Sequence, residues 1–379
     1  MPIADNSSAP PVSIDDLNDE FAIKVLPVIL FLCLIMVIGI CGNVLVLFVY
    51  CGRNASVTRR FILALTAVDL INCVLNIPAD IADIRYKYTF GSSFVCPATR
   101  FVIAFSCIAS CSILVAIAIE RYQKICKPFR KQTAPQTAIV AILICFVSAA
   151  CFAIPAGVLN GERDVKISGL NGSDCGIINE FRDTNFPKAF NGSLFILFFC
   201  ACVVVIVMYI LIWKRLRVQN AWQASRGTHG LSRDTTERVN QSEEVRTSDV
   251  SMGGNNGTTL QPETTTAPTS CSTQGPDRRL HHPTQTSSSS VDRTTLMMFL
   301  VTMLFIVSFL PYITITTASA VDRTLFKGLN GAPLVFYTLA VRSYFLSSAL
   351  NPVVYSICSS GFRTYLKKRT KELVCINGQ

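Results

Sequence analysis

Seven long apolar stretches follow one another along the 379-residue chain. They occupy residues 25–51, 61–79, 101–119, 132–161, 189–213, 294–321 and 334–358. A bilayer core about 30 Å thick needs roughly 20 apolar residues of helix to cross it, and within lipid a helix satisfies its own backbone groups. The pattern therefore predicts an all-α membrane protein, a bundle of seven transmembrane helices. Charges interrupt it at Asp69 in the second stretch and at Arg342 in the seventh.

Lysine and arginine residues cluster directly after the first, third, fifth and seventh stretches. The positive-inside rule places these clusters in the cytoplasm. The first 24 residues instead carry five acidic residues against one lysine, so we expect an extracellular N-terminus and a cytoplasmic C-terminus. The excess of 34 basic over 24 acidic residues is explained by this topology, and no nucleic-acid partner is expected. The predicted location is the plasma membrane.

The remaining segments complete the predicted organisation. It comprises an extracellular tail (1–24), spans one to five (25–217), a disordered third cytoplasmic loop (218–292), spans six and seven (293–358) and a cytoplasmic tail (359–379). The loop is predicted disordered because it is rich in Gly, Pro, Ser and Thr and has few residues that could build a core.

In the tail, Phe362 and Leu366 stand four residues apart among basic residues, which predicts a short amphipathic helix on the membrane surface, in contact with lipid. Cys375 is a candidate site of palmitoylation, with an unmodified cysteine as the alternative.

The predicted topology sorts the 16 cysteines. All but two fall in spans or on the cytoplasmic side, and only Cys96 and Cys175 face the oxidising exterior. We expect them to form a disulfide, the alternative being two unpaired thiols. Asn6, Asn171 and Asn191 begin Asn-X-Ser sequences on the outer side and are therefore candidates for glycosylation.

Polar groups inside a bilayer are costly, so each polar motif within a span is a candidate for function. One such motif occurs in each of five spans: Gly42-Asn43, Ala67-Val68-Asp69, Glu120-Arg121-Tyr122, Phe309-Leu310-Pro311 and Asn351-Pro352-Val353-Val354-Tyr355. In this order the chain resembles the class A, or rhodopsin-like, G-protein-coupled receptors over residues 25–371. Cys96 also stands at the family's usual spacing before Arg121. The resemblance implies a receptor rather than an enzyme, with a heterotrimeric G protein, arrestin and a receptor kinase as cytoplasmic partners.

The resemblance implies that Arg121 is the switch residue for the G protein. Glu120 would hold its guanidinium at rest, and activation would move it toward Tyr209 and Tyr355. The neighbouring motif residues, Tyr122, Asn351 and Pro352, are assigned to the same machinery. Val291 stands where many members keep an acid that locks the arginine, and the adjacent Asp292 is rotated by about 100° of helix. Glu120 is therefore expected to hold Arg121 largely alone.

The family resemblance also implies an allosteric sodium ion in the bundle, with no other cofactor. Its ligands would be drawn from Asp69, Asn43, Ser110, Ser347 and Asn351. The alternative is a protonated Asp69 within a hydrogen-bond network, because a carboxylate at mid-membrane must be paired or neutral.

Charged residues of both signs surround the expected ligand pocket. Asp80, Asp83, Arg100 and Arg342 lie near the outer ends of spans two, three and seven. Mixed charges suit a peptide, so a neuropeptide is the predicted ligand. An internal pair of Arg342 with Asp80 or Asp83 is equally compatible with the sequence.

Two further residues complete the predicted pocket. Ile103 stands where amine receptors of the family carry an aspartate, which argues against a biogenic amine. Phe309 stands where the family usually has tryptophan. A small molecule or lipid is the alternative ligand, and a multi-pass transporter is the alternative class. Ligand-dependent nucleotide exchange, as opposed to substrate flux, would separate receptor from transporter.

Overall fold

The computed structural model of the protein describes residues 12–51, 56–167, 169–248 and 286–376, with residues 223–248, 286–292, 369–370 and 372–376 described as backbone only. In chain order its elements are α1 (Ile14–Lys24), α2 (Leu26–Cys51), α3 (Val57–Ile71), a π-helical turn (Asn72–Asn76), α4 (Ile77–Arg85), α5 (Val95–Cys126), α6 (Pro135–Leu159), β1 (Asn160–Ile167), β2 (Leu170–Ile177), α7 (Asn179–Arg182), α8 (Phe186–Ser248), α9 (Thr286–Val321), α10 (Ala332–Ala340), α11 (Phe345–Cys358) and α12 (Ser360–Ile376).

Within the described ranges, six apolar helices are long enough to cross a membrane. They are α2, the continuous helix formed by α3, the π-helical turn and α4, then α5, α6, and the apolar parts of α8 and α9. The seventh span consists of α10 and α11. Together they confirm the predicted bundle of seven helices. We call the end that carries α1 and the β-hairpin the outer end, and the end that carries α12 the inner end.

The helix of the seventh span changes its geometry at Arg342. Between α10 and α11, Arg342 N–H donates to Leu339 O and Phe345 N–H donates to Arg342 O, which is the i to i+3 pattern of a 3₁₀ turn. A polar side chain therefore enters the apolar span at a local change of helix geometry.

The second span carries a π-helical turn just before Pro78. Proline lacks a backbone N–H and its ring crowds the carbonyl four residues earlier, so a regular helix is disfavoured there. Ile77 N–H donates to Asn72 O, which adds one residue to this turn. The turn lets Asp69, Asn72 and Asn76 all be buried in the bundle.

A helix precedes the first span, where the sequence predicted only a tail. A capping box starts α1: Asp16 N–H donates to Ser13 Oγ (3.1 Å) and Ser13 N–H donates to Asp16 Oδ2 (2.8 Å). These hydrogen bonds from Ser13 lower the pKa of the Asp16 carboxyl. On the other face of α1, the buried Asn18 donates to Thr89 Oγ1 (3.0 Å) and accepts from Tyr88 N–H (2.8 Å). These bonds fasten α1 to the segment after span two.

An antiparallel hairpin, β1 and β2, covers the outer end. Cys175 of β2 forms the predicted disulfide with Cys96 of α5, with a Cα–Cα distance of 5.5 Å. Ser173 N–H donates to Tyr88 O (2.9 Å), which joins the hairpin to the segment after span two. The disulfide is therefore confirmed, and it holds β2 against the start of α5. Asn171 is exposed on this hairpin, as a glycosylated residue must be.

The chain divides into two units, residues 1–213 with 291–379 and residues 214–290. The first contains the bundle, and the second contains the continuation of α8. Helical backbone extends into both ends of the segment predicted to be a disordered loop, since α8 continues to Ser248 and α9 begins at Thr286. Residues 214–248 contain no proline, which is compatible with a continuous helix. The part of the loop from 249 to 285 lies outside the described residues.

The predicted helix after the seventh span is present as α12. Ser359 Oγ accepts from Phe362 N–H (3.1 Å) at its first turn, and the Phe362 ring is buried against Tyr50 of α2. This contact anchors α12 to the inner end of the bundle. Asn6 and the side chain of Cys375 lie outside the described residues.

Candidate functional site

A cavity of about 480 Å³ opens at the outer end of the bundle. Its wall contains all six residues that the sequence assigned to ligand binding: Asp80, Asp83, Arg100, Ile103, Phe309 and Arg342. Phe21 of α1 and Lys87 also line it, and the sequence pointed to neither. The N-terminal helix is thus part of the wall of this cavity.

Two arginines and two aspartates form one ionic network in the cavity wall. Arg342 Nε lies 2.5 Å from Asp80 Oδ2, and Arg342 Nη2 lies 3.8 Å from Asp83 Oδ2. Arg100 Nη2 lies 3.4 Å from the same Asp83 oxygen. Arg342 also donates to Thr338 O (3.2 Å). The sequence left two interpretations of Arg342 open, an internal ion pair and a contact with the ligand. The structure contains the ion pair with Asp80, and the paired Arg342 also lines the cavity.

Aromatic rings form the lower wall of the cavity. Phe309 of α9 packs on Phe305 (5.4 Å between centroids), Phe198 of α8 (5.0 Å) and Tyr312 (5.2 Å). Tyr312 in turn contacts Tyr344 of the seventh span at 4.8 Å. Phe309 and Tyr312 together therefore connect spans five, six and seven beneath the charged network, and this part of the cavity is suited to an apolar group.

Buried polar residues continue below the cavity along span two. Asn76 Nδ2 donates to Asn72 Oδ1 (2.8 Å), and Asn72 Nδ2 donates to Ser348 Oγ (3.0 Å). Asn351 Nδ2 donates to Asp69 Oδ2 (2.8 Å). The sequence analysis missed Asn72, Asn76 and Ser348. The spacing of polar residues along span two could have identified Asn72 and Asn76. Polar residues recur every three or four positions on one helix face, at 69, 72, 76, 80 and 83, and all five are buried.

The structure brings together only part of the predicted sodium site. Asp69 and Asn351 are in direct contact, whereas the amide nitrogen of Asn43 donates to Gly39 O and Ser348 O (both 2.9 Å). Ser110 is buried, and Ser347 Oγ donates to Tyr344 O within its own helix. Oδ1 of Asn43 and Oδ1 of Asn351 have no hydrogen-bond partner among the described residues. Of these two buried oxygens, that of Asn351 belongs to the side chain that contacts the Asp69 carboxylate.

Arg121 is almost completely buried near the inner end of α5. Its Nη2 donates to Glu120 Oε1 (2.7 Å), and its Nε donates to Glu120 Oε2. Nη2 also donates to the Thr58 hydroxyl, in the first turn of α3. The expectation that Glu120 holds Arg121 largely alone is therefore wrong, because Thr58 supplies a second acceptor from another span. The Asp292 side chain lies outside the described part of the chain.

The other residues assigned to the switch lie in the same half of the bundle. Tyr355 and Pro352 are buried in α11, and the Tyr355 hydroxyl has no hydrogen-bond partner within the described ranges. Tyr209 packs on Phe299 of α9 with centroids 5.2 Å apart. Tyr122 is partly buried beneath Lys127 Nζ, 5.5 Å from its ring centroid.

The first-span motif has a packing role. A side chain at Gly42 would come within 2.8 Å of Pro352, so the glycine allows α2 and α11 to approach each other closely.

The family model described as "7 transmembrane receptor (rhodopsin family)" matches residues 42–355. The chain therefore belongs to the rhodopsin family of seven-transmembrane receptors, which are receptors and not enzymes, and the resemblance carried by the motifs is confirmed.

Several curated receptors are similar to this chain. The cholecystokinin receptor of Xenopus laevis is 27% identical over 343 residues, which covers 87% of this chain and 73% of that receptor. The gastrin/cholecystokinin type B receptor of Rattus norvegicus is 27% identical over 350 residues, covering 87% and 75%. The cephalotocin receptor 2 of Octopus vulgaris is 33% identical over 174 residues, covering 45% and 38%.

We expect Asp80→Asn to lower the thermal stability of the purified protein. It leaves Arg342 buried without its nearest counter-charge, and removing one partner of a buried pair costs about 3–5 kcal/mol. Combining it with Arg342→Gln should restore much of the loss. The measurement is thermal unfolding of the single and double variants.

Glu20→Gln is the matched control, because it removes the exposed pair with Lys24 and should cost less than about 1 kcal/mol. A double variant no more stable than Asp80→Asn alone would show that the pair does not stabilise the outer end.

Proposed function

We propose that this receptor binds an extracellular peptide in the outer cavity and activates a heterotrimeric G protein at its inner end. The observation that carries the proposal is the cavity itself, with charges of both signs above an aromatic lower wall. Peptides offer charged termini and apolar side chains within a few ångströms, which matches this arrangement. The similarity of the chain to cholecystokinin receptors supports the same class of ligand.

This function requires the N-terminus outside the cell and the C-terminus in the cytoplasm. The basic clusters after spans one, three, five and seven support that orientation. It places α1, the disulfide and the cavity on the extracellular side, where an oxidised cystine persists. Arg121 and α12 then face the cytoplasm.

Arg121 would carry the signal by exchanging its partners. At rest Glu120 and Thr58 accept its hydrogen bonds, as in the present structure. Activation would transfer the guanidinium toward Tyr209 and Tyr355, which opens a cleft for the G protein. Arginine suits such an exchange because its planar cation keeps its charge and has five donors.

Arrestin and receptor-kinase partners, glycosylation of Asn6, Asn171 and Asn191, and palmitoylation of Cys375 stay predictions. Asn191 is less exposed than Asn171, since it is partly buried in α8 and its Nδ2 donates to Pro187 O (2.9 Å).

The proposed function is tested by expressing the chain with a promiscuous G protein and screening a peptide library for nucleotide exchange. We expect at least one peptide to stimulate exchange, and Arg121→Ala to abolish the response at equal surface expression. A response to lipids or small metabolites with none to peptides would contradict the peptide ligand. Substrate flux without nucleotide exchange would contradict the receptor function itself.

Thr58→Val should raise nucleotide exchange in the absence of ligand. It removes one acceptor from Arg121 while keeping nearly the same side-chain volume. A net loss of about 1 kcal/mol for one hydrogen bond corresponds to a shift of roughly fivefold between resting and active states. The measurement is basal exchange at matched surface expression.

Ser112→Ala is the control for Thr58→Val, because the Ser112 hydroxyl donates to Ile108 O within α5 and does not touch Arg121. Equal basal exchange in the native receptor and Thr58→Val would show that Thr58 does not restrain the arginine.

We also propose that the oxygens around Asp69 hold a sodium ion in the resting receptor. The proposal is supported by the Oδ1 atoms of Asn43 and Asn351, which have no hydrogen-bond partner among the described residues, and by the buried Ser110 and Ser347, since oxygen atoms are the ligands that hard cations prefer. A bound sodium ion would neutralise the Asp69 charge inside the bundle.

Replacing sodium by an organic cation should therefore raise basal nucleotide exchange in the native receptor and leave Asp69→Asn unaffected. The control is Asp322→Asn. Asp322 is an exposed acidic residue directly after α9, so basal exchange of this variant should depend on sodium as it does in the native receptor. Basal exchange that does not depend on sodium in either the native receptor or Asp69→Asn would instead support a protonated Asp69.

A further inference from the structure

A second ionic cluster lies on the hairpin, next to the cavity wall. The Asp174 carboxylate lies 2.5 Å from Arg163 Nη2 and 4.0 Å from Lys87 Nζ. Lys87 also lines the cavity, so the wall holds three cations (Lys87, Arg100 and Arg342) and two carboxylates (Asp80 and Asp83), a formal charge of +1.

The carboxylates and the guanidinium groups of the cavity wall differ in their solvent exposure. The carboxylate side chains of Asp80 and Asp83 are only 5% and 8% exposed, whereas that of Arg100 is 30% exposed and that of Arg342 is 13% exposed. Asp83 Oδ1 is also buried, with no hydrogen-bond partner among the described residues. The acids therefore lie behind the arginines, and an incoming ligand meets the guanidinium groups first.

Arg100 in the cavity wall leaves much of its hydrogen-bonding capacity unused. Its contacts within the described chain are two long ones from Nη2, to Asp83 Oδ2 (3.4 Å) and to Cys175 O (3.5 Å). Its backbone is fixed one turn after Cys96, whose disulfide holds β2 at this point. Arg342, by contrast, is held by Asp80, Asp83 and Thr338 O. A planar guanidinium with free donors matches the geometry of a carboxylate.

We propose that the cavity is specific for a peptide with an oxyanion next to an apolar side chain, and that Arg100 binds the oxyanion. This inference rests on the proposed function and names the class of ligand for that site. Ile103 lies one turn below Arg100 on α5, and Phe309 is part of the lower wall, so the apolar side chain enters beneath the bound anion. A cationic peptide end would have to pass two arginines to reach the buried aspartates, and like charges disfavour that path.

The test uses three pools of short synthetic peptides, with nucleotide exchange as the readout. The first pool has free C-terminal carboxylates and no acidic side chains, the second has amidated C-termini with an aspartate, and the third is amidated and free of acids. We expect activation from the first or the second pool, which also identifies the source of the carboxylate. Activation confined to the third pool would overturn this inference and leave the peptide receptor standing. Silence of all three pools would overturn both.

Active peptides are then compared on Arg100→Gln and on Arg85→Gln. Both variants remove one outer cation, but Arg85 pairs with Asp19 and lies outside the cavity wall, so it controls for long-range attraction. We expect a loss of potency of roughly 10- to 100-fold for Arg100→Gln, as for a lost charge-assisted hydrogen bond, and little change for Arg85→Gln. Equal losses in the two variants would overturn the role of Arg100.

The peptide can be changed instead of the receptor, and the result then does not depend on whether a receptor variant folds. Replacing the carboxylate of an active peptide by its carboxamide should reduce potency on the native receptor by the same factor as Arg100→Gln. The two changes together should cost little more than either alone, because they remove the same contact. Undiminished potency of the carboxamide would refute the proposal.

Discussion

The cost of burying charge in a low-dielectric bundle governs the arrangement of this receptor. Charged side chains that enter the described part of the bundle lie against a partner: Arg121 against Glu120, Arg342 against Asp80, Arg100 against Asp83, and Asp69 against Asn351. An unpaired charge in such a place is expensive, and the loss of one partner leaves the other uncompensated. The pairs of Arg342 with Asp80, Arg100 with Asp83 and Asp69 with Asn351 each join two different segments of the bundle.

The two ends of the bundle apply this constraint in the same way. In each, an arginine is shared between a carboxylate and a second acceptor, and one of the two lies on another span: Arg121 has Glu120 and Thr58, and Arg342 has Asp80 and the Thr338 carbonyl. A cation with two kinds of acceptor can leave one of them without becoming unpaired. This allows conformational change in a protein whose buried charges cannot be released into lipid.

The sequence was sufficient for the features that depend on long patterns and insufficient for those that depend on a single neighbour. Uncharged runs predicted the seven spans, because a membrane helix transfers many apolar groups out of water. The spans in turn fixed the side of the membrane on which each cysteine lies, and this predicted the Cys96–Cys175 disulfide. The contact of Thr58 with Arg121 depends on how α3 packs against α5, which no local pattern records. The helix of residues 14–24 was missed although Ser13 and Asp16 carry the signature of a cap.

The Tyr355 hydroxyl supports partner exchange, rather than loss of a contact, as the physical basis of the proposed switch. It is fully buried without a hydrogen-bond partner in the described parts of the chain, and such a group costs about 1–3 kcal/mol. An arginine that leaves Thr58 and donates to Tyr355 would lose one hydrogen bond and satisfy an orphan group with another. The number of satisfied groups would then be similar in the two states, so their free energies can lie close together. A ligand that supplies a few kcal/mol at the outer end is then enough to change which state dominates.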